Sequence, residues 1–156
     1  MPRTILVSSR YTFPDSYYTF FNPAPATTSQ AFTLPLESAV FPYTNLGHGV
    51  AEIAGITFYV VLSVPAAGNT IQASFTGVSG SVTLAPVPGQ TSAGNPIEAL
   101  TATVNFSPAL AAPQTLSLTV ETANIPAALA TVVAGQTVFD PIKVEDILMV
   151  IQYSIG

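Results

Sequence analysis

The sequence predicts an all-β protein, a jelly-roll-like antiparallel β-sandwich of about eight strands. Short runs rich in Val, Ile, Thr, Tyr and Phe are separated at fairly regular intervals by 14 prolines and 10 glycines. No charge run, repeat or long flexible linker divides the 156 residues, so we expect a single domain over residues 1–156. A chain of this length buries roughly 70% of its unfolded surface, which is enough for a core without disulfides. It contains no cysteine.

Strands are expected where apolar and polar residues alternate. Residues 56–62 are apolar at almost every position, which predicts a central strand covered on both faces. Residues 143–155 fit both a helical and an alternating pattern, and their β-branched and aromatic content favours a strand. The candidate strands are residues 4–11, 30–36, 52–64, 70–76, 81–85, 97–106, 114–121, 137–139 and 143–155.

At most one short helix is expected, at residues 125–133. Asn124 is a candidate N-cap and Pro126 would stand in the first turn, where proline is tolerated. One or two turns of helix would therefore interrupt the succession of strands.

Charged residues make up only 7% of the chain, against about 25% in a typical soluble domain. The three cations, Arg3, Arg10 and Lys143, are too few and too scattered to bind nucleic acid, and they do not form a patch for an anionic membrane. Either Ser, Thr, Asn and Gln solvate the surface, or copies of the chain or another protein cover much of it. We favour the second reading, because large apolar surfaces usually mark interfaces.

Neither a membrane span nor a secretory signal is recognisable in the sequence. No segment approaches the roughly 20 apolar residues that a transmembrane helix needs. After Arg3, the apolar run of residues 5–7 stops at Ser8, too soon for a signal peptide. We expect an extracellular or particle-surface location reached by another route, and a cytoplasmic location stays open.

The sequence offers little for catalysis, metal binding or cofactor binding. His48, the single histidine, stands between two glycines and has no evident partner beyond Glu52, so an ordinary loop residue is expected. Asp140, Glu145 and Asp146 could together attract Ca²⁺, but their spacing matches no calcium loop. We expect no enzyme, no cofactor and no metal site, because phosphate loops, nucleophile elbows and histidine pairs are also missing from the sequence.

Aromatic residues cluster near the start of the chain. Core packing or a protein–protein contact explains them better than sugar stacking, for which tryptophan is usually preferred and is absent here. The candidate interface residues are Tyr11, Phe13, Tyr17, Tyr18, Phe20 and Phe21.

Two groups of segments resemble a known family. The first group is residues 11–18, the strand at 32–36, Phe41-Pro42-Tyr43 and residues 53–59; the second is residues 115–118 and 144–154. Their order is similar to the C-terminal β-sandwich of the A component of insecticidal toxin complexes (Tc toxins). Gln152 departs from the basic residue that often precedes the closing tyrosine there. The resemblance implies a β-sandwich that docks the B component and has no active site.

The leading functional hypothesis is a non-enzymatic self-assembly or protein-docking module, most simply a homo-oligomer. The first alternative is a structural subunit of an extracellular filament, spore coat or virion, in which exposed strand edges pair between copies. The second alternative is a carbohydrate-binding module that uses exposed aromatic rings.

Overall fold

The computed structural model describes residues 2–36, 40–41, 51–76, 78, 80–87, 91–92, 95–96, 98–111 and 114–155, and it confirms the predicted all-β fold. Twelve strands and two short helices lie within these ranges. The helices are α1 (Ser9–Thr12) and α2 (Pro14–Phe21). The strands are β1 (Pro2–Ser8), β2 (Ser29–Leu36), β3 (Ala51–Leu62), β4 (Ile71–Phe75), β5 (Ser81–Pro86), β6 (Thr91–Ser92), β7 (Asn95–Pro96), β8 (Ala99–Ala111), β9 (Gln114–Glu121), β10 (Ala130–Val133), β11 (Gln136–Phe139) and β12 (Val144–Ile155).

Eight strands form one antiparallel sheet in the order β1-β12-β3-β8-β5-β4-β9-β2. Strand β5 takes part in both halves: residues 81–84 pair with β4, while Ala85 and Pro86 pair with β8. The sheet curls at β5, so the first half-sheet (β1, β12, β3 and β8) faces the second (β5, β4, β9 and β2) in a sandwich-like arrangement. Two further pairs, β6–β7 and β10–β11, stand outside this sheet.

The core lies between the two half-sheets and follows the alternation of the strands. On β2, Phe32, Leu34 and Leu36 are almost fully buried, and on β3 Ile56 and Phe58 are too. The rings of Phe58 and of Phe75 on β4 lie 5.0 Å apart, which joins the two halves directly. This apolar layer explains how the chain folds without a disulfide.

Helices α1 and α2 occupy residues that the sequence predicts as the end of a strand and as an interface. The start signals of α2 are Pro14 in its first turn and the acidic Asp15 beside it. At its other end, the Phe20 ring lies 6.0 Å from that of Phe32 and 5.6 Å from that of Phe139. Helix α2 therefore closes one end of the sandwich with its phenylalanines.

A buried glutamine fixes this end further. The Gln30 side chain is 1% exposed, and its amide nitrogen donates a hydrogen bond to the Phe20 carbonyl at 2.7 Å. Its carbonyl oxygen accepts one from the Phe139 backbone N–H at 2.9 Å. Gln30 thus ties the last turn of α2 to β11, and both polar ends of the amide are satisfied.

The helix predicted at residues 125–133 is present as a single 3₁₀ turn, Ala127–Leu129. A second 3₁₀ turn, Thr122–Asn124, precedes it, and β10 occupies the rest of the predicted range. A hairpin explains the difference: β10 pairs with β11 across Ala134 and Gly135, whose φ angles are 51° and 79°. Positive φ at both central residues is typical of the turn that best matches strand twist, and pairing with β11 outweighs the local helical signal.

Candidate interaction surface

The outward side of the first half-sheet carries apolar side chains among hydroxyl groups. Because Ile56, Phe58 and Val60 point into the core, the alternating residues Thr57 and Tyr59, and likewise Val61, point outward. Residues paired across antiparallel strands share a side of the sheet, so the register identifies their outward neighbours. We call this surface the apolar face, and its residues are Leu6, Thr57, Tyr59, Val61, Thr101, Thr103, Leu148 and Val150.

The apolar face is arranged in rows that cross the four strands. One row runs Leu6, Val150, Thr57 and Thr103, and the next runs Ser8, Leu148, Tyr59 and Thr101. Leu6 is 64% exposed, whereas the residues on the two central strands are half-buried by their neighbours. The two rows contain hydroxyl groups and hydrocarbon but no charged side chain.

Charged groups lie at the two ends of the apolar face. Glu52 pairs with Ser154 at one end, and Asp146 pairs with Val61 at the other. The Asp146 carboxylate accepts hydrogen bonds from the Ser8 hydroxyl and from the backbone N–H of Arg10 at 3.1 Å. Asp146 therefore anchors the start of α1 to β12.

The outward side of the second half-sheet has a different composition. Strands β2 and β4 alternate strictly between buried and exposed residues, as expected for a sheet with one face in water. Contacts here are polar, as between the Ser81 hydroxyl and Gln72 Oε1 at 3.0 Å. We call this surface the polar face, and its residues are Ala31, Thr33, Gln72, Ser74, Ser81, Thr83, Ser117 and Thr119.

Tyr11, one of the six candidate interface residues, lies close to the Asp146 end of the apolar face. It is 78% exposed and directly follows Arg10, whose backbone is bound to Asp146. The Arg10 guanidinium lies 5.9 Å from the centre of the Tyr11 ring and donates a hydrogen bond to the Glu145 carbonyl at 3.3 Å. Tyr11 thus stands at the Asp146 end of the apolar face.

The other five candidates divide between surface and core. Tyr18 is 68% exposed on α2, whereas Phe13, Phe20 and Phe21 are buried and serve as core residues in this structure. Tyr17 is partly buried, and its hydroxyl donates to the Val144 carbonyl at 3.5 Å. Burial, and then the negative charge of Asp146, raise the pKa of Tyr17 to about 12, and Arg10 offsets part of the rise.

Sequence reasoning missed most of the apolar face. Leu6, Leu148 and Val150 were not among the predicted interface residues, because each belongs to an alternating strand pattern that does not by itself indicate an interface. A signal was present at residues 56–62, whose apolar character on both faces predicts a doubly covered strand. In the structure the core covers one side, and in the described part of the chain no layer covers the other.

The described residues contain no cluster of metal-binding side chains. No group of three Asp, Glu or His side chains there could hold a metal ion. Asp140, a candidate calcium ligand, instead accepts a hydrogen bond from the Ile142 N–H at 3.0 Å and lies 4.0 Å from Lys143 Nζ. His48 lies outside the described residues.

The cavities described next are small. An apolar void of about 20 Å³ lies between the half-sheets beside Phe20 and Phe21. A groove of about 180 Å³ runs between Pro23 and the β10–β11 hairpin, and one of about 190 Å³ separates α2 from β2. These volumes are below the roughly 300–1,000 Å³ of small-molecule sites.

Within the described part of the chain, no helix combines the length and the apolar character needed to cross a membrane. Comparison of the chain with protein-family models, with curated proteins and with solved structures found no match in any of the three.

Proposed function

We propose that this chain is a non-enzymatic protein-interaction module, which docks a protein or assembles with its own copies through the apolar face. The observation that carries the proposal is the contrast between the two outward surfaces of one sheet. On the polar face Ser, Thr and Gln meet water, whereas Leu6, Leu148 and Val150 occupy the matching positions of the apolar face.

The driving force would be the hydrophobic effect. Burial of apolar surface is favourable by roughly 25 cal/mol per Å², and contiguous exposed apolar patches on soluble proteins usually mark interaction sites. The apolar face spans four strands and, on β3, five residues from Thr57 to Val61, so at ordinary strand geometry it measures roughly 20 Å across the strands and at most roughly 15 Å along them. Tyr11 at its margin adds an exposed aromatic ring of the type enriched at interfaces.

A docking role is also what the resemblance to the Tc-toxin β-sandwich implies. In that family the sandwich contacts the B component, so a protein surface rather than a small molecule would be the partner. Self-assembly, the other form of the proposal, needs only the surface described above.

The absence of cysteine allows a direct test with single thiols. Thr57→Cys places a thiol on the apolar face, and Thr119→Cys places a matched one on the polar face. We expect a maleimide reagent to label both in dilute protein, and the thiol at 57 to react at least tenfold more slowly when the protein is concentrated or returned to an extract of its source. Equal labelling of both thiols under every condition would contradict the proposal.

A further inference from the structure

A groove of about 190 Å³ lies between α2 and the outward side of β2. Thr19 stands one helical turn after Asp15 and Ser16, so these three residues share a side of α2. Ala31 and Thr33 are alternate residues of β2, and both point outward into the groove. The phenylalanine contacts between α2 and β2 hold the two walls of the groove together from the core side.

The polar side chains of this groove have no partner within the described part of the chain. Four of the five lining residues are polar, and none of the four makes a hydrogen bond or an ion pair there through its side chain. These residues are Asp15, Ser16, Thr19 and Thr33. Gln30, beside them on β2, instead has both ends of its amide satisfied. One carboxylate and three hydroxyl groups are therefore free to bind a ligand in the same groove.

The chemistry of these groups fits a neutral ligand that is rich in hydroxyl groups. A metal ion would need more oxygen ligands than the single carboxylate of Asp15, and an anion would meet its negative charge. An ammonium group offers donors only, so it would use none of the three hydroxyl protons. A sugar brings donors for the carboxylate, and both donors and acceptors for the hydroxyls. We propose that the groove binds one ring of a neutral carbohydrate.

An exposed aromatic ring flanks the groove. Tyr18 is 68% exposed and stands three residues after Asp15, so the two side chains are neighbours on the surface of α2. An aromatic ring there can pack on the hydrocarbon side of a sugar while its hydroxyl stays in water. Tyr18 is thus an exposed ring of the kind on which a carbohydrate-binding module depends.

The groove opens onto further hydroxyl groups on β9. Thr33 pairs with Ser117 and Ala31 pairs with Thr119, and both β9 residues are half-exposed on the polar face. A second sugar ring could lie over them, so we expect an oligosaccharide to bind more tightly than a monosaccharide. For a single ring we expect a Kd on the order of millimolar, because the groove is smaller than an enclosed small-molecule site and leaves much of the ring in water.

Titration of ¹⁵N-labelled protein with sugars, followed by the NMR shifts of its amides, tests the proposal. The probes are glucose, galactose, mannose and N-acetylglucosamine, each added to about 50 mM, with butylamine as a cationic comparison. We expect at least one sugar to shift amides of α2 and β2. Oligosaccharides are tested on a printed array of neutral glycans.

Three variants locate the site. Asp15→Ala and Thr33→Val each remove one polar group from the groove, and Thr83→Val removes a matched hydroxyl from β5, elsewhere on the polar face. We expect Asp15→Ala to weaken sugar binding about tenfold, Thr33→Val several-fold and Thr83→Val not at all. All three positions are exposed, so each variant should fold, and thermal unfolding checks this.

Several results would overturn the proposal. The first is a lack of binding to all four sugars and to the array. Sugar binding that survives both Asp15→Ala and Thr33→Val, or that falls equally in Thr83→Val, would place the sugar elsewhere. A stronger response to butylamine than to any sugar would show that Asp15 selects a cation. The groove lies on β2 and not on the apolar face, so this inference goes beyond the proposed function, and none of these results affects the thiol test of that face.

Discussion

The two half-sheets share a core but present opposite surfaces to their surroundings. The outward positions of β2, β4 and β9 hold mainly hydroxyl and amide side chains, with Ala31 and Pro35 as the apolar members on β2. The outward positions of β3 and β12 instead include Tyr59, Val61, Leu148 and Val150, alongside Thr57 and Asp146. Both halves have the same secondary structure and neither has a buried charge on its outward side. The two outward surfaces therefore differ in how much apolar side chain they present.

The largest effect should come from placing the same charge on opposite sides of β3. Val60 points into the core, so Val60→Lys buries an unpaired cation at a cost of several kcal/mol, comparable with the whole stability of a small domain. Val61→Lys points outward beside Asp146 and should change the stability by less than about 1 kcal/mol. Circular dichroism on heating checks both: we expect no cooperative transition for Val60→Lys and a near-normal one for Val61→Lys. Similar melting curves for the two variants would show that the assignment of the faces is wrong.

A pair of substitutions on α2 tests whether this helix belongs to the core that both half-sheets share. Phe20→Ala removes a ring that contacts Phe32 and Phe139, and we expect a loss of about 3–5 kcal/mol in the free energy of unfolding. Tyr18→Ala, two residues earlier on the exposed side of α2, should cost no more than about 0.5 kcal/mol. Urea titration measures both values. A small effect of Phe20→Ala would mean that α2 is not part of the hydrophobic core.

The smallest effect concerns the junction of α2 with the first half-sheet. The pKa of Tyr17 is raised from 10 to about 12, so the folded state holds the phenolic proton more tightly than the unfolded state does. The resulting stabilisation is complete below pH 10 and is lost as the pH rises towards 12. We expect Tyr17→Phe to reduce the fall in stability over this interval, measured by urea unfolding between pH 9 and pH 12 relative to wild type. An identical alkaline decline in both proteins would mean that Tyr17 does not contribute to it.

The parts of the fold that depend on local alternation could be predicted from the sequence. The segments at 30–36 and 114–121 become β2 and β9 with almost the expected bounds, because one side of each strand faces the core and the other faces water. The strand expected at 4–11 ends early, at Ser8, because Asp146 binds the Ser8 hydroxyl and the Arg10 N–H. Those partners are more than 130 residues away in the chain, so no local pattern reveals them.

Recognition of the candidate site required the register of the paired strands as well as the hydrophobic pattern of the sequence. Tyr11 could be selected from the sequence as an exposed aromatic, but the aromatic cluster around it also supplied Phe20 and Phe21 to the core. Leu6 and Val150 become neighbours only through the pairing of β1 with β12. An apolar face built from strands far apart in sequence cannot be recognised until their order and register are known.

The place of β12 in the sheet has a consequence for the time course of synthesis. Of the eight strands of the main sheet it is the last to be made, yet it lies between β1 and β3. Until it inserts, the backbone edges of both neighbours stay unpaired, and the apolar side chains of β3 have no flanking strand on that side. Nascent chains would then be most prone to aggregation just before β12 emerges. Any chaperone that assists this protein would have to shield the edges of β1 and β3 and keep them apart until β12 inserts.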